Sequence, residues 1–110
     1  MTSIRASKIV TAEKVLENAY IVFDENSGLI TEVSDSPNFE ADLNVDGVLI
    51  PGFVDIHCHG GGGFSFDDVP NAKAAASFHL KHGTTSVIAS LVSAAVSKQI
   101  TLIKELSPLV

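Results

Sequence analysis

The sequence lacks most of what several common classes of protein require. Its 110 residues include one cysteine and no tryptophan, and 7 lysines and arginines stand against 13 aspartates and glutamates, for a formal net charge of −6. A single cysteine excludes a disulfide within the chain. The acidic balance argues against nucleic acid and against an anionic membrane surface as partners.

Long apolar runs are also missing. No run approaches the ~18 residues that a bilayer-spanning helix needs, and the first residues lead into no apolar segment of a secretory signal. We therefore expect no membrane partner and a cytoplasmic location. Because 45% of the residues are apolar, the chain can still bury a core, and its length is one domain's worth at most.

Residues 1–50 predict a small β module. Ser7–Thr11, Tyr20–Phe23 and Leu29–Val33 are short β-prone runs, and the turn-rich residues Asp24–Gly28 separate the last two. Two such runs on either side of a short turn predict a β-hairpin. The polar residues 34–44 show no period and predict a connector.

Residues 51–110 predict an α/β arrangement. Phe53–Cys58 and Thr85–Val92 are mostly apolar, as expected of strands buried on both faces of a parallel sheet. Ala72–His82 between them predicts a helix, and a second helix follows the second strand. Strand, helix, strand and helix in this order imply parallel pairing through a right-handed crossover.

The ends of these two helices carry start and stop signals. Asp68 or Asn71 can cap the first helix, and Gly83 can end it. Ser93 can cap the second helix, which Pro108 stops.

Two histidines stand where the first of these parallel strands ends. His57 and His59 are two residues apart, so their side chains point to the same face, with Cα atoms about 6.6–6.8 Å apart. Neutral imidazole is the commonest protein ligand for a transition metal. The pair predicts part of a metal site, and the alternative is a strand that simply ends in two histidines. A third ligand is not evident, and catalytic metal sites usually have three or more protein ligands.

Four glycines follow the histidines, and one carboxylate precedes them on the same strand face. The glycine run permits close approach of backbone to a ligand, either as a nest of N–H groups that binds an anion or as an open loop that gives a substrate room. The carboxylate of Asp55 is a candidate acceptor for an imidazole N–H, or else a structural group tied to the backbone. The candidate substrate-loop residues are Gly60, Gly61, Gly62 and Gly63.

Other polar residues nearby have simpler interpretations. Cys58 alternates to the opposite face from the histidines and predicts a small buried apolar residue. His79 and His82 lie near the carboxyl end of the predicted helix, where exposed or capping histidines are common. Ser90 lies at the end of the second strand, where it is placed to hydrogen-bond a substrate.

Two aspartates follow the glycine run. Asp67 and Asp68 can anchor the loop or start the helix, and negative charge near a helix N-terminus favours the second role.

The segment around the histidines resembles a known family. Pro51–His59 resembles the first-strand signature of the amidohydrolase superfamily, which are metal-dependent hydrolases on a TIM-type barrel. His59–Gly63, Phe66–Asp68 and His82–Ser86 resemble the branch of that superfamily that deacetylates N-acetylglucosamine 6-phosphate. The resemblance is specific over Val48–Ser93 and only general over the first 47 residues.

The resemblance implies a fold and a chemistry. It implies the first two βα units of a (β/α)8 barrel over residues 51–110, preceded by the N-terminal part of a small β-sandwich module over residues 1–50. The implied reaction is amide hydrolysis with one or two divalent ions, Zn²⁺ first and Fe²⁺ or Mn²⁺ next, on an amino-sugar phosphate. His57 and His59 would supply part of the metal shell, whereas the remaining ligands and the general base come from later strands. No catalytic base is therefore expected in this chain.

Length and exposed edges lead to two further expectations. A complete barrel takes about 250 residues, so we interpret the chain as the N-terminal piece of a longer enzyme. Two parallel strands with their helices leave edges unpaired and apolar faces uncovered. We therefore expect a homo-oligomer formed through Phe53–Cys58 or Thr85–Val92.

Two alternatives to the deacetylase remain open. One is another amidohydrolase, acting on a cyclic amide, an imide or an aminated base, because the same His-X-His strand occurs among them. The other is a small domain that binds a metal or a partner without catalysis.

Overall fold

The chain consists of two compact units. The computed structural model describes residues 1–36 and 39–109, and it divides into Met1–Pro51 and Gly52–Val110. Within the described residues, no helix is long and apolar enough to cross a membrane. Two residues of the expected connector, 37 and 38, lie outside the described part of the chain.

The first unit is one mixed four-stranded sheet. Its strands are β1 (Thr2–Val10), β2 (Val15–Asp24), β3 (Leu29–Ser34) and β4 (Leu43–Leu49), in the order β3-β2-β1-β4. The β1–β2 and β2–β3 pairs are antiparallel and the β1–β4 pair is parallel. The predicted hairpin is confirmed as β2–β3. The four strands form a single sheet, and its place in a sandwich of two sheets stays a prediction.

The strands of this unit are longer than the sequence predicted. β1 begins at Thr2 and β2 at Val15. Polar residues interrupt the apolar runs in both added parts, such as Arg5 in β1 and Glu17 in β2, so no continuous β-prone run marks them. One face of the sheet holds the core, and its buried residues are Ala6, Ile9, Leu16 and Ala19, with Ile21 and Leu49 packed against them.

Two polar side chains fasten the connector between β3 and β4 to β1. Arg5 donates hydrogen bonds to the carbonyls of Ser36 and Phe39, at 3.0 and 2.7 Å. The carboxylate of Asp42 accepts from the backbone N–H and the hydroxyl of Ser3, at 2.8 and 2.6 Å. These bonds from Ser3, the hydroxyl first, favour the ionised form and hold the pKa of Asp42 below its usual value.

The second unit contains one parallel strand pair and two helices. β5 (Phe53–Cys58) pairs in parallel with β8 (Thr84–Ala89), and α1 (Ala72–Leu80) connects them. A short hairpin of β6 (Gly60–Gly61) and β7 (Phe64–Ser65) and a 3₁₀ turn (Val69–Asn71) precede α1. After β8 come α2 (Val96–Leu106) and a second 3₁₀ turn (Ser107–Leu109). The predicted order of elements and the parallel pairing are confirmed.

The predicted helix ends are only partly right. Asn71 is the N-cap of α1 but its side chain makes no capping bond, and its side-chain N–H donates to the carboxylate of Asp68, at 2.8 Å. The 3₁₀ turn places Asp68 one turn before α1. Ser93 does not cap α2, which begins at Val96 after Ala95. α1 ends at Leu80, two residues early, and Gly83 follows with φ +91°.

The second unit has a small core, and β5 is largely exposed on both of its faces. Its core residues are Cys58, Phe66, Ala72 and Ala75. Phe53, Val54 and Ile56 are 55%, 66% and 73% exposed. The expectation that this strand is buried on both faces is wrong for this chain, because Cys58 is the one residue of β5 that is buried in the core.

We expect Asp42 to contribute stability that depends on pH. Because its folded-state pKa lies below the usual value, the contribution is present above about pH 4 and is lost as pH falls through the folded-state pKa. Asp42→Asn should therefore lower the unfolding temperature at neutral pH and reduce the loss of stability between about pH 5 and pH 3. Thermal unfolding followed by circular dichroism across this range measures both effects.

Asp46→Asn is the matched control, because Asp46 accepts one hydroxyl hydrogen bond, from Ser7. If Asp42→Asn and Asp46→Asn show the same pH dependence, the assignment to Asp42 is wrong.

Candidate functional site

The two histidine rings lie side by side at the end of β5. The ring centroids of His57 and His59 are 4.9 Å apart and the ring planes are nearly perpendicular. Both residues are exposed. The structure therefore brings the two imidazoles together on one side, as the alternation of a strand predicts.

The neighbours of these rings differ from the expected ones. The carboxylate of Asp55 accepts a hydrogen bond from the backbone N–H of His57, at 3.0 Å, so it holds the strand and not a ring. The hydroxyl of Ser90 lies 3.5 Å from Nδ1 of His57, at the outer limit of a hydrogen bond. The backbone N–H of Ser90 donates to the carbonyl of Cys58 at 2.8 Å, which fixes Ser90 beside the ring.

The glycine run folds as a tight β-hairpin. Gly60 pairs with Ser65 and Gly61 pairs with Phe64, which leaves Gly62 and Gly63 as the two turn residues, with φ +63° and +88°. Positive φ at both central residues is typical of the two-residue turns that suit hairpins. We expected a nest or an open loop, and the signal that we missed is the Gly-Gly pair between two short runs.

The hairpin packs directly against α1. A Cβ atom at Gly61 would lie 2.5 Å from Nε2 of His79, and one at Gly62 would lie 2.8 Å from the ring of Phe78. A Cβ atom at Gly63 would meet nothing within 4 Å. One side of the hairpin therefore has no room for a side chain, while its tip is open.

His79 contacts the loop, contrary to our expectation of an exposed or capping residue. Its Nε2 lies 2.9 Å from the carbonyl oxygen of Gly60 and 3.2 Å from Sγ of Cys58. Cys58 is 7% exposed, which confirms the prediction that it is buried. His82 is exposed, and its ring lies 5.0 Å from that of Phe78. The three-residue spacing on one helix turn gave no sign of this difference.

Asp67 anchors the end of the hairpin. Both of its carboxylate oxygens lie 3.3 Å from the backbone N–H of Val92, and its own backbone N–H donates to the hydroxyl of Ser65 at 3.1 Å. The segment after the glycines is thereby joined to the chain that follows β8. Of the two expected roles of Asp67, the structure shows the loop anchor.

This arrangement fits part of a metal site. Metal–nitrogen distances are about 2.0–2.1 Å, so two imidazoles with centroids 4.9 Å apart are close enough to bind one ion together. The described residues contain no cluster of three or more histidine, cysteine, aspartate or glutamate side chains able to hold a metal ion. The described residues therefore bring together two side chains of a kind that binds metal ions, without a third beside them.

Comparison with known proteins gives the same family by sequence and by fold. No family model matches the chain. The N-acetylglucosamine-6-phosphate deacetylase of Bacillus subtilis is 33% identical over 95 residues, a match that covers 77% of this chain and 23% of that protein. The crystal structure of N-acetyl-D-glucosamine-6-phosphate deacetylase from Mycobacterium smegmatis superposes with a TM-score of 0.87 and 29% identity, over 99% of this chain and 32% of that one. The chain is related to N-acetylglucosamine-6-phosphate deacetylases.

The likeness to the deacetylase includes both units, since it covers 99% of the chain. An aspartate-to-alanine mutant of the Mycobacterium smegmatis deacetylase, in complex with N-acetyl-D-glucosamine-6-phosphate, matches equally well, with a TM-score of 0.87 over 98% of this chain. The chain spans between 23% and 32% of the length of these deacetylases.

The close packing of the hairpin predicts an asymmetry between two glycines. Gly62 and Gly28 have similar φ values, +63° and +70°, but a Cβ atom at Gly28 would meet nothing within 4 Å. Alanine at either position should cost about 1–2 kcal/mol for its left-handed conformation. Gly62→Ala should cost more than Gly28→Ala because it also displaces Phe78. Chemical denaturation of both variants measures the difference in the free energy of unfolding. Equal losses of stability would mean that the hairpin is not closely packed against α1.

Proposed function

We propose that this chain forms part of the active site of a metal-dependent N-acetylglucosamine-6-phosphate deacetylase. The observation that carries the proposal is the pair of imidazoles, with centroids 4.9 Å apart, beside a glycine hairpin at the carboxyl end of a parallel strand. In TIM-type barrels the active site lies at this end of the strands. The relationship to deacetylases in sequence and fold supports the substrate class.

In this proposal His57 and His59 hold a divalent ion. Imidazole ligands suit Zn²⁺ first and Fe²⁺ or Mn²⁺ next, and either one or two ions are compatible with two histidines. When bound, such an ion lowers the pKa of a water molecule and polarises the carbonyl of an amide. The general base and the other ligands would come from residues outside this chain.

Two neighbouring residues, Ser90 and Asp55, would orient His57 for metal binding. The hydroxyl of Ser90 faces Nδ1 of His57, so Nε2 of that ring remains for a ligand. Outer partners of this kind fix the orientation of metal-binding histidines. Asp55 contributes by holding the backbone of His57.

The glycine hairpin would form one wall of the substrate site. It starts one residue after His59, and the tip at Gly63 is free of neighbours within 4 Å. A tip without side chains leaves room for a sugar phosphate close to the proposed metal ligands. A relative from Mycobacterium smegmatis has been crystallised with N-acetyl-D-glucosamine-6-phosphate, which makes this the first substrate to test.

The barrel and the homo-oligomer belong to the same proposal. The β5–α1–β8 unit has the order and the parallel pairing of a βα barrel unit. Its exposed side chains, such as Val54 and Ile56, need cover from further strands or from a second copy. A cytoplasmic location also stays a prediction.

Removal of either histidine should lower metal content and activity together. In the natural protein that contains this chain, His57→Ala and His59→Ala each remove one metal ligand, and loss of a ligand should reduce hydrolysis of N-acetylglucosamine 6-phosphate by at least about 10²-fold. Metal analysis by mass spectrometry and an acetate-release assay provide the measurements. His82→Ala is the control, and wild-type metal content and rate in both histidine variants would exclude the metal role.

The 110-residue chain alone should not hydrolyse N-acetylglucosamine 6-phosphate. Two imidazoles without a further ligand cluster in the described residues do not complete a hydrolytic metal site. Acetate release by the purified chain with added Zn²⁺ is the measurement, with His57→Ala in the same chain as the background. Turnover above that background would show that the chain holds a complete site.

A further inference from the structure

The carbonyl of Gly60 lies at the junction of three elements. Nε2 of His79 lies 2.9 Å from this oxygen, and the thiol of Cys58 lies 3.4 Å from it. The thiol and the imidazole are themselves 3.2 Å apart. Cys58 ends β5, Gly60 begins the hairpin, and His79 stands in the last turn of α1.

These contacts lie next to the proposed metal ligands but on the other side of the strand. Cys58 separates His57 from His59 in sequence, and it is buried among the core residues of the second unit. A partly buried carbonyl that loses a donor loses hydrogen bonding that water replaces only in part. The bond from His79 therefore favours one position of the hairpin relative to β5.

The absence of a side chain at Gly61 allows this hydrogen bond to form. A Cβ atom at Gly61 would stand 2.5 Å from Nε2 of His79, so the imidazole reaches the Gly60 carbonyl only because residue 61 has no side chain. The ring of Phe78 covers the neighbouring Gly61 and Gly62 in the same way. The helix thus contacts three consecutive hairpin residues with two consecutive side chains.

We propose that His79 is a positioning residue, whose hydrogen bond to the Gly60 carbonyl holds the glycine hairpin in place beside His57 and His59. This inference rests on the proposed function in one respect, because it takes the hairpin as a wall of the substrate site. His79 acts through the hairpin and does not touch the substrate.

Displacement of the hairpin would change two measurable quantities, the KM and the rate at which Cys58 is alkylated. If loss of the bond leaves the hairpin correctly placed a tenth of the time, the apparent KM rises about tenfold, since affinity falls with the fraction of competent molecules. The same displacement uncovers the thiol of Cys58, which is 7% exposed when the hairpin is in place. Its alkylation should accelerate, because reaction requires the opened form.

The test uses three variants of the natural protein that contains this chain. His79→Leu fills similar space without a donor, and His79→Gln restores an N–H donor. His82→Leu is the control, at an exposed histidine three positions further along the chain. The measurements are KM and kcat for N-acetylglucosamine 6-phosphate, metal content, and the rate at which iodoacetamide modifies the Cys58 peptide, followed by mass spectrometry.

We expect His79→Leu to raise KM about tenfold, with a smaller change in kcat and unchanged metal content, and to accelerate alkylation of Cys58. His79→Gln should recover most of both effects, and His82→Leu should match the wild type. A purely structural role would lower the unfolding temperature without separating KM from kcat.

Two results would overturn the proposal. One is unchanged Cys58 alkylation in His79→Leu, and the other is failure of His79→Gln to recover it. If His79→Leu does not fold, Gly61→Ala replaces it, because its Cβ atom displaces the same imidazole. If the wild-type protein shows no deacetylase turnover, the proposed function fails, and the alkylation rates alone decide whether His79 holds the hairpin.

Discussion

The glycine hairpin lies so close to α1 that no side chain fits between them, and the geometry of the candidate site depends on that contact. The hairpin begins one residue after His59, so its position determines what surrounds the two imidazoles. Gly61 and Gly62 are held against Phe78 and His79 at distances that exclude a Cβ atom. Because interiors are closely packed and resist deformation, a rigid helix gives the loop a fixed position that glycine alone would not.

Polar contacts complete this arrangement at each end of the loop. Ser90 reaches Nδ1 of His57 from the end of β8, and Asp67 accepts the backbone N–H of Val92 just beyond. Both contacts join β5 and its loop to the neighbouring strand. Functional residues held from several elements are less able to move independently, which is what a metal site or a substrate wall requires.

Much of the fold was predictable because the relevant signals are local. The β2–β3 hairpin followed from two β-prone runs around a turn, and the β5–α1–β8 order followed from the apolar runs and the helix between them. The start of the first strand was missed, since Ser3 and Arg5 interrupt its apolar residues. The expected cap at Ser93 was wrong, because an N-cap also needs a backbone position that only the path of the preceding chain determines.

The sequence by itself determined which side chains can bind a metal and that His57 and His59 point the same way, because the alternation of a strand is a local property. Tertiary structure decided what surrounds them. It placed Ser90 beside the imidazole, and it set His79 on the hairpin while leaving His82 exposed. These contacts join residues 19 to 33 positions apart or depend on how a helix faces a loop. Spacing along the chain does not carry that information.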